Sequence, residues 1–302
     1  MLFPKPLFRG ARVALVAPSG PVPAERLQPS VAALERMGLQ VAVGESCRSC
    51  DGYLAGGDGL RSDDLNRAFA DPSVDGVFCA RGGYGAQRLL DRLDFGLISE
   101  NPKAFCGYSD VTALHIALNQ RCGFVTFHTP MPSTELYRGV DGVTLRSFRD
   151  ALEGNFRGRL RNPPGMPLRA LAPGRARGIL TGGNLSLVAS SLGTPWEIDT
   201  RGKILFLEDV DEEPYRIDRM LNQLRLAGKL RDCAGILLGS WTNCVPPAGK
   251  PSLTLLRIFR EQIVPQGRPV LAGLACGHGL PSLSLPLGAA VEMDACAGGV
   301  TF

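Results

Sequence analysis

Histidine is scarce in this sequence of 302 residues, and neither sign of charge is in large excess over the other. The only histidines are His115, His128 and His278, and their spacing does not match a metal-binding pattern such as H-x-x-x-H. We therefore expect no metal ion. The formal net charge is only +4, and no run of lysine and arginine or basic-aromatic stripe is present, so we expect no nucleic-acid partner.

Long hydrophobic runs are also missing. No segment approaches the roughly 18 apolar residues of a transmembrane helix, and Met1–Pro6 lacks the apolar core of a signal peptide. We expect a cytoplasmic protein with no membrane partner. The nine cysteines are odd in number and mostly lie in apolar runs, which is typical of reduced thiols. Cys47-x-x-Cys50 has no second pair or nearby histidine, so two free thiols in a loop fit it better than a zinc or redox site.

Short apolar runs and helical segments alternate through the first half of the chain. The runs at 12–17, 39–43, 74–80 and 103–106 are typical of buried strands, and the segments 24–37, 62–69, 86–93 and 111–119 of helices. This alternation predicts βαβ units around a parallel sheet. We therefore expect an α/β protein whose N-terminal domain, residues 1–156, is doubly wound.

Proline and glycine crowd residues 157–174, where no hydrophobic periodicity survives. We interpret this segment as a linker between domains. Beyond it, short apolar runs and two helical segments, 215–226 and 253–263, predict a smaller domain of mixed α/β structure over residues 175–302.

The segment Gly107-Tyr108-Ser109-Asp110 lies where a predicted strand turns directly into a predicted helix. Such a turn can expose a serine hydroxyl at the carboxyl end of a parallel sheet, beside a helix N-terminus that stabilises negative charge. The match to the hydrolase pattern G-x-S-x-G is incomplete, because Val111 replaces the last glycine. Two interpretations stay open on this motif alone: Ser109 is a nucleophile, or it caps the helix.

A glycine-rich turn, Arg81-Gly82-Gly83-Tyr84-Gly85, follows the predicted strand that ends at Ala80. Its backbone N–H groups could face an anion, as in an oxyanion hole or a dinucleotide cradle. Arg88 stands where the third glycine of the dinucleotide pattern belongs, and the pattern belongs at the first βα turn, so nucleotide binding is disfavoured. A plain glycine turn remains the alternative.

A serine nucleophile needs a base. His115 falls inside a predicted helix and His128 follows an apolar stretch, so both favour structural roles. His278 lies between two glycines in a predicted loop, where a base would be accessible. Glu208 ends a predicted strand, from which a carboxylate can orient a histidine, although the acidic cluster that it begins is also typical of a solvated helix start.

Taken together, these motifs resemble the LD-carboxypeptidases of peptidase family S66 over nearly the whole chain. The matching segments, in the order that the family shows, are Arg81-Gly82-Gly83-Tyr84-Gly85, Gly107-Tyr108-Ser109-Asp110, Gly182-Gly183-Asn184-Leu185, Gly193-Thr194-Pro195, Leu207-Glu208-Asp209, Tyr215–Leu221, Gly277-His278-Gly279 and Pro286-Leu287-Gly288. The resemblance implies a catalytic triad of Ser109, Glu208 and His278, with the active site between the two domains. It also implies an oxyanion hole made by the backbone of Asp110 and of the turn at Gly82 and Gly83.

The same resemblance implies release of the terminal D-alanine from murein tetrapeptides in peptidoglycan recycling, without a cofactor. It leads us to expect a muropeptide substrate and a homodimer. Two other functions stay open. Some family members cleave microcin-type aminoacyl-nucleotide conjugates, but they are usually longer, and no such insertion is obvious here. A non-catalytic ligand-binding protein of periplasmic type is disfavoured by the Ser/His/Glu set and by the expected lack of a signal peptide.

Overall fold

The computed structural model describes residues 1–302, which divide into two structural units. The first unit contains Met1–Asn155 and Ser284–Gly288, and the second contains Phe156–Leu283 and Ala289–Phe302. The chain therefore returns to the first unit for one short segment near its end. The sequence did not predict this return, because a run of five residues carries no periodicity that assigns it to a particular sheet.

Strands and helices alternate through the first unit, whereas they alternate only in part in the second. In the first they are β1 (Arg12–Val16), α1 (Ala24–Arg36), β2 (Gln40–Val43), α2 (Asp58–Ala70), β3 (Gly76–Cys79), α3 (Phe95–Glu100), β4 (Ala104–Gly107), α4 (Thr112–Cys122), β5 (Thr126–His128) and α5 (Gly142–Glu153). Those that follow are β6 (Arg169–Ala172), β7 (Arg175–Asn184), α6 (Leu185–Ser190), β8 (Ile204–Val210), α7 (Pro214–Leu226), α8 (Lys229–Asp232), β9 (Gly235–Thr242), α9 (Leu255–Gln262), β10 (Val270–Ala272), β11 (Leu285–Leu287), β12 (Ala290–Asp294) and β13 (Gly299–Thr301).

The sheet of the first unit has six strands in the order β11-β5-β4-β3-β1-β2, and all but the edge strand β11 are parallel. Strands β3 and β4 are buried throughout, as the continuous apolar runs predicted. The order reverses direction between β1 and β3, which is the position where sheets of this kind open a crevice at the carboxyl ends of their strands. The predicted doubly wound parallel domain is confirmed.

Two helical predictions in this unit need correction. Helix α2 begins at Asp58 after Gly57, so Ser62, where the predicted helix starts, lies buried inside the observed helix. Residues 86–92 form a 3-10 helix instead of the predicted α-helix. The first error arose because the first turn, Asp58-Gly59-Leu60-Arg61, contains a glycine and only one apolar residue, so it shows no helical repeat that would mark the true start of the helix.

The second unit contains a mixed sheet of seven strands in the order β13-β12-β7-β8-β9-β10-β6. Strands β7, β8, β9 and β10 are parallel, and the remaining pairings are antiparallel. The predicted mixed α/β domain is confirmed. The interpretation of residues 157–174 as a linker is wrong over β6, which pairs with β10 as an edge strand. An edge strand has one partner and little burial, so it needs no continuous apolar run.

The longest helices, α1, α2 and α7, have 13 residues each. No helix of the structure combines the length and the apolar character needed to span a membrane.

Candidate active site

Ser109 lies at the point where β4 turns into α4. A 3-10 turn over Ser109–Val111 joins the two elements, and Ser109 adopts a left-handed backbone with φ of 65°. An L-residue other than glycine adopts this conformation at a cost of about 1–2 kcal/mol. The N-cap position of α4 is occupied by Val111, so Ser109 is not the cap of that helix. The geometry is that of a strained strand-to-helix elbow.

The glycine-rich turn after β3 packs directly on Ser109. A β-carbon on Gly82 would lie 2.9 Å from Ser109 Cβ and 3.0 Å from its Oγ. The carbonyl oxygen of Gly82 accepts a hydrogen bond from the N–H of Gly20, at 3.2 Å, and a β-carbon on Gly83 would lie 3.2 Å from the backbone of Gly20. The turns after β1, β3 and β4 therefore lie together at the carboxyl edge of the sheet.

The carboxylate of Asp110 faces the interior of the first unit. It is 2% exposed, and its Oδ2 accepts hydrogen bonds from Ser19 Oγ at 2.6 Å and from the N–H of Ala86 at 2.8 Å. Burial raises the pKa of Asp110, and these hydrogen bonds oppose that rise. The family resemblance implied only a backbone role for Asp110. The structure adds a role for its side chain, which ties the elbow to the two neighbouring turns.

Glu208 and His278 are brought together in the second unit. Glu208 Oε2 lies 2.8 Å from Nδ1 of His278, and the glutamate side chain is 0% exposed whereas that of the histidine is 14% exposed. An ionised carboxylate can only accept, so Nδ1 carries the proton and Nε2 is the basic nitrogen of the neutral ring. Burial raises the pKa of Glu208, and the hydrogen bond to His278 opposes that rise.

Neighbouring residues fix the position of this pair. A β-carbon on Gly277 would lie 2.7 Å from Glu208 Oε2, so only glycine fits before His278. The next carboxylate, Asp209, accepts hydrogen bonds from Asn184 Nδ2 at 2.8 Å and from Ser186 Oγ at 2.8 Å. It thereby anchors the end of β8 to the start of α6. The sequence showed Asn184 and Asp209 only as parts of motifs and gave no signal that they contact each other.

The other two histidines are core residues, as the sequence predicted. His115 is 0% exposed, its Nε2 lies 2.9 Å from the carbonyl oxygen of Gly107, and its Nδ1 lies 2.8 Å from Thr126 Oγ1. Burial lowers the pKa of His115 to about 4. His128 is 1% exposed, and its ring centroid lies 5.3 Å from that of Tyr108.

The Cys47-x-x-Cys50 pair consists of two free thiols. Cys47 is buried, its Sγ donates to the carbonyl oxygen of Leu15, and burial raises its pKa to about 12. Cys50 is exposed. No group of three or more histidine, cysteine, aspartate or glutamate side chains has an arrangement that could hold a metal ion.

An elbow serine with nearby backbone donors in one unit, and a carboxylate–histidine pair in the other, are the components that define serine hydrolases. The chain belongs to the LD-carboxypeptidase family, peptidase family S66: residues 13–129 match the N-terminal domain of the family and residues 177–293 match its C-terminal domain. The family resemblance seen in the motifs is thus confirmed, and the protein is a serine-type LD-carboxypeptidase.

Of three similar proteins, two have names that agree with this assignment. The chain is 47% identical over 297 residues to a probable murein peptide carboxypeptidase of Bacillus subtilis, with 96% of this chain and 91% of the relative covered. A solved structure of muramoyltetrapeptide carboxypeptidase from Oxalobacter formigenes has a TM-score of 0.81 and 31% identity, covering 96% of this chain and 97% of that one. The microcin C7 self-immunity protein MccF of Escherichia coli is 26% identical over 324 residues, covering 97% of this chain and 93% of the relative.

Proposed function

We propose that this protein removes the terminal D-alanine from murein tetrapeptides, by hydrolysing the L,D-peptide bond, as a step of peptidoglycan recycling. The observation that carries the proposal is the left-handed backbone of Ser109 at the β4–α4 elbow, with Gly82 packed against its side chain. The names of the relatives from Bacillus subtilis and Oxalobacter formigenes supply the substrate class.

In the proposed reaction, Ser109 Oγ attacks the carbonyl carbon of the scissile bond while His278 Nε2 takes its proton. The backbone N–H of Asp110 and an N–H of the turn at Gly82 and Gly83 stabilise the oxyanion. His278 then protonates the leaving amine of D-alanine, and the acyl-enzyme is hydrolysed by a water that the same imidazole deprotonates. Glu208 holds the imidazole in the required tautomer and stabilises its protonated form.

The place of action and the assembly state belong to the same proposal. All nine cysteines are free, and seven of them are buried or half-buried, which supports a reducing compartment such as the cytoplasm. The homodimer expected from the family is tested by the mass of the protein in solution.

Incubation with a murein tetrapeptide, followed by mass analysis, tests the proposal. We expect the tripeptide and free D-alanine from the wild-type protein, and a loss of several orders of magnitude in kcat in Ser109→Ala. Ser99→Ala is the control, because Ser99 lies in α3 and its Oγ donates to the carbonyl oxygen of Phe95 within that helix. An inactive wild-type protein, or a folded Ser109→Ala protein with unchanged turnover, would contradict the proposal.

The cleavage of aminoacyl-nucleotide conjugates is the second candidate. Its support is the full-length similarity to MccF, at 26% identity against 47% for the murein peptide relative. Presenting such a conjugate in the same assay decides between the two. Preferred cleavage of the conjugate would replace the tetrapeptide as the proposed substrate while leaving the serine mechanism in place.

A further inference from the structure

A fully buried arginine lies beneath the turns that surround Ser109. Arg61, in α2, is 0% exposed. Its Nε donates to the carbonyl oxygen of Gly56 at 3.0 Å, and its Nη1 donates to the carbonyl oxygens of Pro18 and Gly85. A buried cation is costly unless its donors are satisfied, and these three hydrogen bonds of Arg61 all go to backbone carbonyl oxygens of loops.

Arg61 and Asp110 bind the same two turns with opposite charges. In the turn after β3, the peptide unit between Gly85 and Ala86 has its carbonyl oxygen on Arg61 and its N–H on Asp110. In the turn after β1, the carbonyl oxygen of Pro18 accepts from Arg61, and the next residue donates through Ser19 Oγ to Asp110. Each turn is therefore held at two adjacent points by two buried charges.

The network is closed on the outer side by Asp58. Its carboxylate pairs with Arg61 Nη2 and also accepts from Arg88, whose Nε and Nη2 each lie 2.9 Å from its oxygens. We call the hydrogen bonds of Arg61 and Asp110 to the two turns the clamp. A side chain at Gly85 could not take its place, because the space beside that residue is already filled. A β-carbon on Gly85, whose φ is 123°, would lie 2.8 Å from Arg61 Nη1 and 2.6 Å from Leu54 Cδ2.

Backbone donors for an oxyanion stabilise a transition state only when they are held in place before the reaction. A turn with three glycines among five residues is flexible by itself, since glycine has the largest backbone freedom of all residues. The clamp by Arg61 and Asp110 removes that freedom at the end of the turn, three residues from Gly82, which contacts Ser109.

We propose that Arg61 and Asp110 form a pair of positioning residues, which fix the glycine-rich turn against the Ser109 elbow so that its backbone donors are preorganised for the oxyanion. This inference rests on the proposed serine mechanism. It adds to that mechanism a charged side chain on α2 and a hydroxyl, Ser19, that contribute to turnover through the backbone of the turns, with no contact to substrate.

Three variants loosen the clamp by different amounts. Arg61→Met removes the cation while keeping a long side chain. Asp110→Asn keeps an acceptor for Ser19 and Ala86 but loses the charge. Ser19→Ala removes one hydrogen bond and leaves both charges in place. We expect kcat on the tetrapeptide to fall by about 10- to 100-fold in Arg61→Met, and by less in the other two variants. KM should stay nearly unchanged, because a displaced backbone donor weakens the binding of the transition state more than that of the substrate.

Lys103→Met is the matched control for burial of a cation. Lys103 is 7% exposed and its Nζ also donates to backbone carbonyl oxygens, those of Ala68 and Asp71, but it precedes β4 at the end opposite Ser109. We expect Lys103→Met to lower the melting temperature without lowering kcat. All assays are run well below the melting temperature of the least stable variant, and affinity for the tripeptide product is measured alongside.

The inference is overturned if the folded clamp variants keep the wild-type kcat, or if Lys103→Met loses as much kcat as Arg61→Met at equal loss of stability. If Arg61→Met does not fold, Asp110→Asn and Ser19→Ala decide the question by the same two criteria. An inactive wild-type protein would instead count against the proposed function, so the two failures are distinguishable.

Discussion

Gly82 lies so close to Ser109 that no residue with a β-carbon would fit at position 82 without a shift. A β-carbon there would lie 2.9 Å from Ser109 Cβ, 3.0 Å from Oγ and 3.6 Å from the backbone nitrogen of Asp110. Gly82 does not have a positive φ, so its backbone conformation does not itself require glycine. Glycine is therefore required at this position because a side chain would collide with Ser109. A substitution there should affect the reaction more than the stability of the fold.

We accordingly predict that Gly82→Ala lowers kcat by about 100-fold, because a displacement of the serine by a few tenths of an ångström to 1 Å misaligns the attack. The melting temperature should change little. Gly59→Ala is the control, since Gly59 is in α2 and nothing lies within 4 Å of a β-carbon built there. Steady-state kinetics on the tetrapeptide and thermal melting of both variants measure the effect. Wild-type kcat in a folded Gly82→Ala protein would show that the contact does not constrain the reaction.

The elbow at Ser109 could be predicted from the sequence because its signal is local. An apolar strand, a short turn and a helix follow one another within about fifteen residues, and periodicity detects each of them. His278 could be singled out for a similar reason, since its two flanking glycines mark a loop. The motifs that resemble the LD-carboxypeptidase family then joined these separate signals into one set.

Arg61 could not be predicted in the same way. On a helix that begins Asp58-Gly59-Leu60-Arg61, an arginine three residues after an aspartate indicates an exposed ion pair. Its burial comes from carbonyl oxygens at Pro18 and Gly85, which are 43 and 24 residues away in the chain. No periodicity encodes such partners. The return of the chain as β11 and the edge strand β6 were missed for the same reason, because their partners are distant in sequence.

The second prediction concerns the carboxylate of the Glu208–His278 pair. We expect Glu208→Gln to lower kcat by about 10⁴-fold, and His278→Ala by about 10⁶-fold, since the charge supports the base but does not replace it. The glutamine can still accept from Nδ1, so the melting temperature of Glu208→Gln should stay close to that of the wild type. Glu213→Gln makes the same change within the same acidic cluster and should leave kcat unchanged.

The pH dependence of turnover follows from the same pair. In the wild type, kcat/KM should fall on the acid side, because a protonated imidazole cannot take the proton of Ser109. The profile is measured on the tetrapeptide over a pH range in which the protein stays folded. If kcat/KM of the wild type did not fall at acid pH, or if His278→Ala kept the wild-type turnover, the base would be another residue.

The last prediction uses His115, whose ring holds the carbonyl oxygen of Gly107 just before the elbow. Its pKa in the folded protein is lowered to about 4 by burial, from 6.5. Between these two pH values the unfolded chain binds a proton that the folded protein does not, so the free energy of unfolding must fall as the pH falls. The stabilisation is complete above pH 6.5, and this group alone should remove about 3 kcal/mol from the free energy of unfolding by pH 4.

In His115→Gln we expect lower stability at pH 7, because the fit to Gly107 and Thr126 is lost, but a weaker dependence on pH. Leu118→Ala is the control: it removes a buried side chain from the same helix, so its free energy of unfolding should be lower at every pH and run parallel to that of the wild type. Urea unfolding at several pH values between 4 and 7 gives the three curves, and a curve for His115→Gln parallel to the wild type would mean that His115 does not titrate as its burial requires.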